Sequence, residues 1–196
     1  MSNSGVFDVN DIRYLMDYQQ WSGVGTLELI QTQTISATVT QVDFTSIKES
    51  IYNVHFLTWN NLHQSSDNKK VQVQLFESGT IETGSVYQYA NQFYRANGTF
   101  VESNSTGASA MRLTGNNGNA GNETTNGYFY GYNFGDKSKY SFITLQSSSS
   151  DTSDSYHGDF GSSVLPQASI VDGIRLNMTG GDIDSGDFSL YGIRYS

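Results

Sequence analysis

The clearest hydrophobic pattern in the chain lies between residues 169 and 195. Apolar and polar residues alternate on both sides of a Gly/Asp/Ser-rich segment, first at Ile174, Leu176 and Met178 and then at Phe188 and Leu190. A period of two places alternate side chains on one face of a β-strand. The pattern predicts two strands around a GGDIDSGD turn, each with an apolar row against a common core, and it predicts that the last strand is built into a sheet.

The same alternation recurs upstream. It predicts strands at 27–30, 39–44, 51–59, 71–75, 86–93, 111–113, 128–134 and 140–145. In the third of these the expected apolar row is Tyr52, Val54 and Phe56, and Gly135 to Ser138 supplies a hairpin turn between the last two. With the C-terminal pair the count is about ten strands, a spacing typical of an all-β, antiparallel, jelly-roll-like sandwich.

Two stretches are predicted as loops from composition alone. Residues 114–126 are rich in Gly and Asn, and residues 147–155 are rich in Ser and Asp. His157-Gly158-Asp159 follows the second stretch and is expected to extend the loop. Loops of this length on a β-scaffold are either functional or mobile.

Residues 1–25 differ from the remainder, 26–196, and are predicted to be a docking segment and linker preceding the β-domain. Asp8 or Asn10 could cap a short helix that ends near Gln20. Its apolar and aromatic residues fall on two neighbouring faces, and the expected docking residues are Val9, Ile12, Leu15, Met16 and Trp21. Two interpretations stay open, because such a helix could pack on its own domain or on another protein.

Composition and charge narrow the function classes. The chain has 196 residues, no Cys and a net charge of -9. The absence of Cys excludes disulfides, thiol catalysis and Cys-ligated zinc. An acidic chain without a basic patch argues against nucleic-acid binding. The start lacks the features of a signal peptide and no apolar run approaches membrane-spanning length, so membrane insertion is not expected.

No catalytic, cofactor or metal site is predicted. The three His and many Ser residues come without a G-x-S-x-G motif, and His55 fits a half-buried strand position better than a general base. None of the candidate carboxylates, Glu77, Glu82, Glu102 and Asp159, has a setting that distinguishes it as a glycosidase acid. The acidic run from Asp182 to Asp187 resembles part of a calcium loop but fails the full pattern, since Ile193 stands where Glu is required.

A row of tyrosines is the remaining chemical signal. Tyr128, Tyr130 and Tyr132 alternate with Phe129, Gly131 and Asn133, so one face of that strand should carry all three rings. Tyrosine rows contact sugars or proteins, because each ring has an apolar face and a polar tip. Ordinary cross-strand packing is the simpler explanation for any single ring.

Four segments carry a resemblance to a known group: 43–62, 70–92, 127–133 and 163–193. They resemble small virion structural proteins of tailed phages, fibre-like or appendage proteins above all, and the likeness is greatest to those of cyanophages. The features shared are the DFTS strand, the following strand that begins at Tyr52, and the Gly/Asp-rich ending, although Leu57 stands where Phe is commoner. No catalytic residue belongs to the shared pattern.

The resemblance implies a virion location and a non-enzymatic role. The first hypothesis is a fibre- or spike-type appendage of the tail or neck, docked through its N-terminus on other virion proteins and touching a host-surface glycan. A homo-oligomer, with a trimer favoured, is an expectation from fibre-like proteins. The alternatives are a capsid decoration protein, a carbohydrate-binding module and, last, a tail-associated hydrolase.

Overall fold

The computed structural model describes residues 27–151 and 155–194. Every element in these ranges is a β-strand, and none of the described residues forms a helix that could cross a membrane. The strands are β1 (Leu27–Ile35), β2 (Gln41–Phe44), β3 (Val54–Gln64), β4 (Val71–Glu77), β5 (Thr80–Ile81), β6 (Tyr87–Arg95), β7 (Phe100–Ala108), β8 (Met111–Arg112), β9 (Thr125–Tyr132), β10 (Ser141–Ser150), β11 (Tyr156–Leu165), β12 (Val171–Met178) and β13 (Ile183–Ile193). The predicted helix and its docking residues Val9, Ile12, Leu15, Met16 and Trp21 lie outside the described residues.

The strands form two antiparallel sheets that share one core. The larger has the order β1-β13-β3-β9-β10-β11-β6-β7, and the smaller has the order β2-β12-β4-β5 with β8 also pairing with β4. Leu57 and Phe188 of the larger sheet belong to the same buried cluster as Leu75 and Leu176 of the smaller. The arrangement is sandwich-like and confirms the all-β, antiparallel prediction.

The two C-terminal strands both face the core, but they belong to different sheets. β12 pairs with β2 and β4, whereas β13 lies between β1 and β3. The expected turn is also shorter than predicted, because β13 already begins at Ile183. Register shifts between Ile183 and Ser185 and between Ser185 and Asp187 let the Asp/Gly-rich residues continue as a bulged strand.

The predicted row of Tyr52, Val54 and Phe56 is partly wrong, since Tyr52 and Val54 are buried but Phe56 is out of phase. Beyond Val54 the core-facing residues are His55, Leu57 and Trp59, all at most 1% exposed, and Phe56 points to the opposite face. Both rows of this segment are largely apolar, so alternation alone did not identify the inward one.

Three strands were missed and one predicted loop is partly wrong. β5, β7 and β11 were not predicted, and β10 continues through Ser150, into the stretch expected to be a loop. Ser147 and Ser149 occupy the buried row of β10. Serine gives no hydrophobic signal, so the period of two was invisible there.

The Gly/Asn-rich segment is irregular from residue 114 to residue 124, as predicted, but it is packed on the domain. Thr114, Asn117 and Glu123 are buried, and the Asn117 amide donates a hydrogen bond to Thr114 Oγ1 at 2.9 Å. This segment, called here the covering loop, closes one end of the core.

Candidate functional site

The sequence of β9, with Gly inward and Tyr outward, places the tyrosine row on the surface. Gly127, Phe129 and Gly131 point to the core, where a Cβ on Gly127 would collide with the ring of Trp59. The two glycines therefore make room for large aromatic side chains behind the strand. Tyr128, Tyr130 and Tyr132 are half-buried on the outer surface of the larger sheet, where the sequence placed them on one face.

The tyrosines form part of an aromatic cluster that the sequence did not reveal. The ring of Phe56 lies 4.6 Å from that of Tyr130, 5.6 Å from that of Tyr128 and 6.0 Å from that of Tyr191. The Tyr128 hydroxyl donates to Gln146 Oε1 at 2.8 Å. The neighbouring strands β13, β3, β9 and β10 thus hold the rings in fixed positions.

We define the aromatic face as the outward side chains of β3 as far as Asn60 and of β9, β10, β11 and β6. Its apolar members include Phe142, Tyr156 and Phe160, which are exposed on β10 and β11. None of the residues at these outward positions is Asp, Glu, Lys or Arg. The members of the face are Val54, Phe56, Thr58, Asn60, Asn126, Tyr128, Tyr130, Tyr132, Phe142, Thr144, Gln146, Ser148, Ser150, Tyr156, Gly158, Phe160, Ser162, Val164, Gln88, Ala90, Gln92 and Tyr94. In a chain of net charge -9 this is an uncharged surface.

Shallow grooves separate the projecting rings of the aromatic face. One, of about 360 Å³, runs beside Phe142 over Ala90, Ser162 and the neighbouring Asn104 of β7. Another, of about 530 Å³, runs beside Tyr128 over Asn126 and Ser148. They are called here the Ala90 groove and the Asn126 groove, and both are lined mainly by neutral groups that donate or accept hydrogen bonds.

A Ser-His-Asp constellation lies on the inner surface of the same sheet, behind the aromatic face. His157 Nδ1 is 3.1 Å from Asp159 Oδ1, and His157 Nε2 is 3.0 Å from Ser149 Oγ. The distances resemble those of a catalytic triad. The expectation that His157 and Asp159 lie in a loop is wrong: both are in β11, and their side chains are only 2% and 0% exposed.

The same constellation has the chemistry of a clamp. His157 Nε2 is also 3.0 Å from the Asn116 carbonyl, which can only accept a hydrogen bond, so Nε2 carries a proton and is not free to remove one from Ser149. Burial alone lowers the pKa of His157, but Asp159 and the Asn116 carbonyl outweigh it and raise the pKa above its ordinary value. Asp159 Oδ2 accepts a further hydrogen bond from the Gly115 backbone at 3.0 Å. The buried pair therefore fastens the covering loop to β11.

The acidic run of β13 has structural partners. Asp187 accepts a hydrogen bond from Thr34 at 2.6 Å and Asp184 accepts one from Thr38 at 2.9 Å, so this acidic run links β13 to the region of β1. In the described part of the chain, no three His, Asp or Glu side chains are grouped so that they could hold a metal ion.

His55, which the sequence predicted as half-buried, is fully buried. Its Nε2 lies 2.9 Å from the Ile47 carbonyl, and its ring stacks on Phe134.

No protein-family model, curated protein or solved structure matches this chain.

Proposed function

We propose that this protein is a non-enzymatic structural component of a phage virion, a fibre- or spike-type appendage of the tail or neck that works through surface contact. The observation that carries the proposal is the uncharged aromatic face, five strands wide, on a cysteine-free β-scaffold. Exposed aromatic surface of this extent is typical of proteins that bind other molecules through a broad contact. The resemblance to tailed-phage virion proteins supports the same role.

The wider architecture is part of this proposal. It comprises a jelly-roll-like sandwich, an N-terminal docking segment at residues 1–25 that attaches to other virion proteins, and an assembly of several copies with a trimer favoured. In this arrangement Val9, Ile12, Leu15, Met16 and Trp21 contact the particle and the β-domain projects from it.

The test is to locate the protein on assembled particles by cryo-electron microscopy. Contacts from residues 1–21 to neck or tail proteins are expected, and contacts to the major capsid protein would instead establish the capsid-decoration alternative. A chain lacking residues 1–21 should melt like the full chain yet fail to join particles. A matched control, Ser2→Asp with Ser4→Asp, should assemble normally. Normal incorporation of the truncated chain would refute N-terminal docking.

A carbohydrate-binding module is the second candidate, and the Asn126 groove is the observation that favours it. The groove sets the ring of Tyr128 beside neutral amide and hydroxyl groups, which suit the apolar faces and the hydroxyls of a sugar. Binding on a glycan array that is lost in Tyr128→Ala and Tyr130→Ala but kept in Tyr140→Ala, a variant of an exposed tyrosine outside the row, would establish this function. An array without binding would exclude it.

A further inference from the structure

The first observation is the distribution of charge. The chain has 19 acidic and 10 basic residues, yet the outward positions of the five strands of the aromatic face include neither. Two copies that each carry a net charge of -9 repel one another, and they approach with least repulsion through these five strands, whose outward positions hold no carboxylate. The cores of protein interfaces are likewise depleted in charge and enriched in Tyr and Phe. The aromatic face therefore has the composition of a contact between like-charged copies.

The second observation is the exposure of two phenylalanines. Phe142 and Phe160 are 43% and 46% exposed, on the adjacent strands β10 and β11, with Phe160 near the middle of the face and Phe142 at one end of it. Phe has no polar atom with which to contact water, in contrast to the tyrosines around it. A saccharide site would account for the tyrosines and amides, but it leaves these two rings in solvent. A protein surface would cover them.

The third observation is the shape of the aromatic face, which has both projecting rings and grooves. Phe142 projects beside the Ala90 groove, and Phe160 projects beside a third groove, of about 330 Å³, over Ala90 and Gln92, with Glu102 of β7 at its margin. The face thus has both ridges and the small-residue hollows that receive ridges. In a two-fold contact every pairing occurs twice, so a register that sets a ring of one copy in a hollow of the other also sets the second copy's ring in the first copy's hollow.

The area of the face is of the order that a stable contact buries. Five strands spaced about 4.8 Å apart, with roughly seven residues each at about 3.4 Å, cover on the order of 600 Å² in flat projection. The projecting rings increase the area along the contour. Stable interfaces bury about 800 Å² on each partner. Face-to-face packing of two β-sheets is also a common arrangement.

We infer that two copies of this chain associate through the aromatic face, with Phe142 and Phe160 of each copy seated in the grooves of the other. The association is a property of the chain itself and does not depend on a virion role, and as a two-fold contact it is distinct from the trimer that the virion proposal favours. The dimer can therefore be absent although the protein is a virion component, and the dimer can form although the protein is not one.

Sedimentation velocity of the full chain between 1 and 200 µM tests the inference. A dimer is expected at the upper concentrations. The double substitution Phe142→Asp with Phe160→Asp should raise the dissociation constant of this dimer at least 100-fold. The control is Ile51→Asp with Ile170→Asp, because these side chains are similarly exposed, at 43% and 37%, but lie outside the face. The control should dimerise like the parent chain. Matching near-ultraviolet circular dichroism and melting curves establish that both variants fold.

Four outcomes would overturn the inference. If the parent chain stays monomeric at 200 µM, the copies do not associate and the inference is wrong. Self-association of unchanged strength in the Phe142/Phe160 variant, or equal loss in both variants, places the contact elsewhere. A monomer whose aromatic face is protected from hydrogen exchange in the full chain, but not after removal of residues 1–21, assigns the face to the N-terminal segment instead.

Discussion

The buried His55 should make the protein less stable as the pH falls from 7 to 4. Its imidazole is fully buried and stacks on Phe134 at 5.2 Å. Because Nε2 donates to the Ile47 carbonyl, Nδ1 is the unprotonated nitrogen, and it has no hydrogen-bond partner among the described residues. Protonation would place a charge and an unpaired N–H inside the core. Burial accordingly lowers the pKa of His55 from 6.5 to about 4, against the smaller opposing effect of the Ile47 carbonyl.

The size of the effect follows from linkage. Above pH 6.5 the imidazole is neutral in both the folded and the unfolded chain, so the full stability is present. Between pH 6.5 and 4 the unfolded chain binds a proton that the folded chain does not, so the free energy of unfolding falls with falling pH. A difference of about 2.5 pKa units at about 1.36 kcal/mol per unit gives a loss of roughly 3 kcal/mol.

The assay is urea unfolding of the parent chain and of His55→Gln at pH 7, 6, 5 and 4. Glutamine can still donate to Ile47 but does not titrate, and the carboxylates of the two proteins contribute equally. The difference between their unfolding free energies should shift by roughly 3 kcal/mol towards the variant between pH 7 and pH 4. An NMR titration of the His55 ring gives the same quantity if the variant does not fold. A constant difference, or a ring that titrates near 6.5, would refute the reasoning.

Three further substitutions test other parts of the fold by denaturant or thermal unfolding. Asp159→Asn leaves His157 buried without its counter-ion and should cost about 3–5 kcal/mol at pH 6. Because the pKa of His157 is raised in the folded chain, the ion pair stabilises the protein fully below about pH 6.5, and this stabilisation is lost as the pH rises through the pKa of the folded state. The variant should not show this loss. A cost below 1 kcal/mol, or a pH profile like that of the parent chain, would contradict the clamp. Gly127→Ala places a methyl group against the ring of Trp59 and should lower the free energy of unfolding by about 1–3 kcal/mol. An unchanged unfolding midpoint would contradict this close packing, because it would mean that the strand shifts to accept the methyl group. Asp43 forms a partly exposed ion pair with an arginine, so Asp43→Asn should lower the free energy of unfolding by about 1 kcal/mol or less. A loss as large as that of Asp159→Asn would contradict the expectation that the buried pair matters more than the exposed one.

The fold class was predictable because strands such as β4 and β12 alternate cleanly between apolar and polar residues. The tyrosine row of β9 was predictable for the same reason. The phase of β3 was not, since Phe56 and Leu57 are both apolar and only the positions of β9 and β13 determine which one faces the core. Alternation gives the period of a strand but not its inward side when both sides are hydrophobic.

The buried polar pair was beyond sequence reasoning for a different reason. His157 and Asp159 face the core of β11 because Ser147 and Ser149 lie opposite them on β10 and the covering loop seals them from solvent. Each of these residues is typical of a loop when considered locally. Their burial depends on hydrogen bonds between segments more than 40 positions apart, such as that from Gly115 to Asp159.

The position of β13 has a consequence for how the chain folds. β13 is synthesised after the other twelve strands, yet it lies between β1 and β3 and joins the first strand to the rest of the larger sheet. Until β13 arrives, β3 has an open edge and β1 has no partner in the sheet. Pairing across such long stretches of chain is slow, and open strand edges promote association with the wrong partner. The nascent chain is therefore most prone to aggregation just before β13 is made.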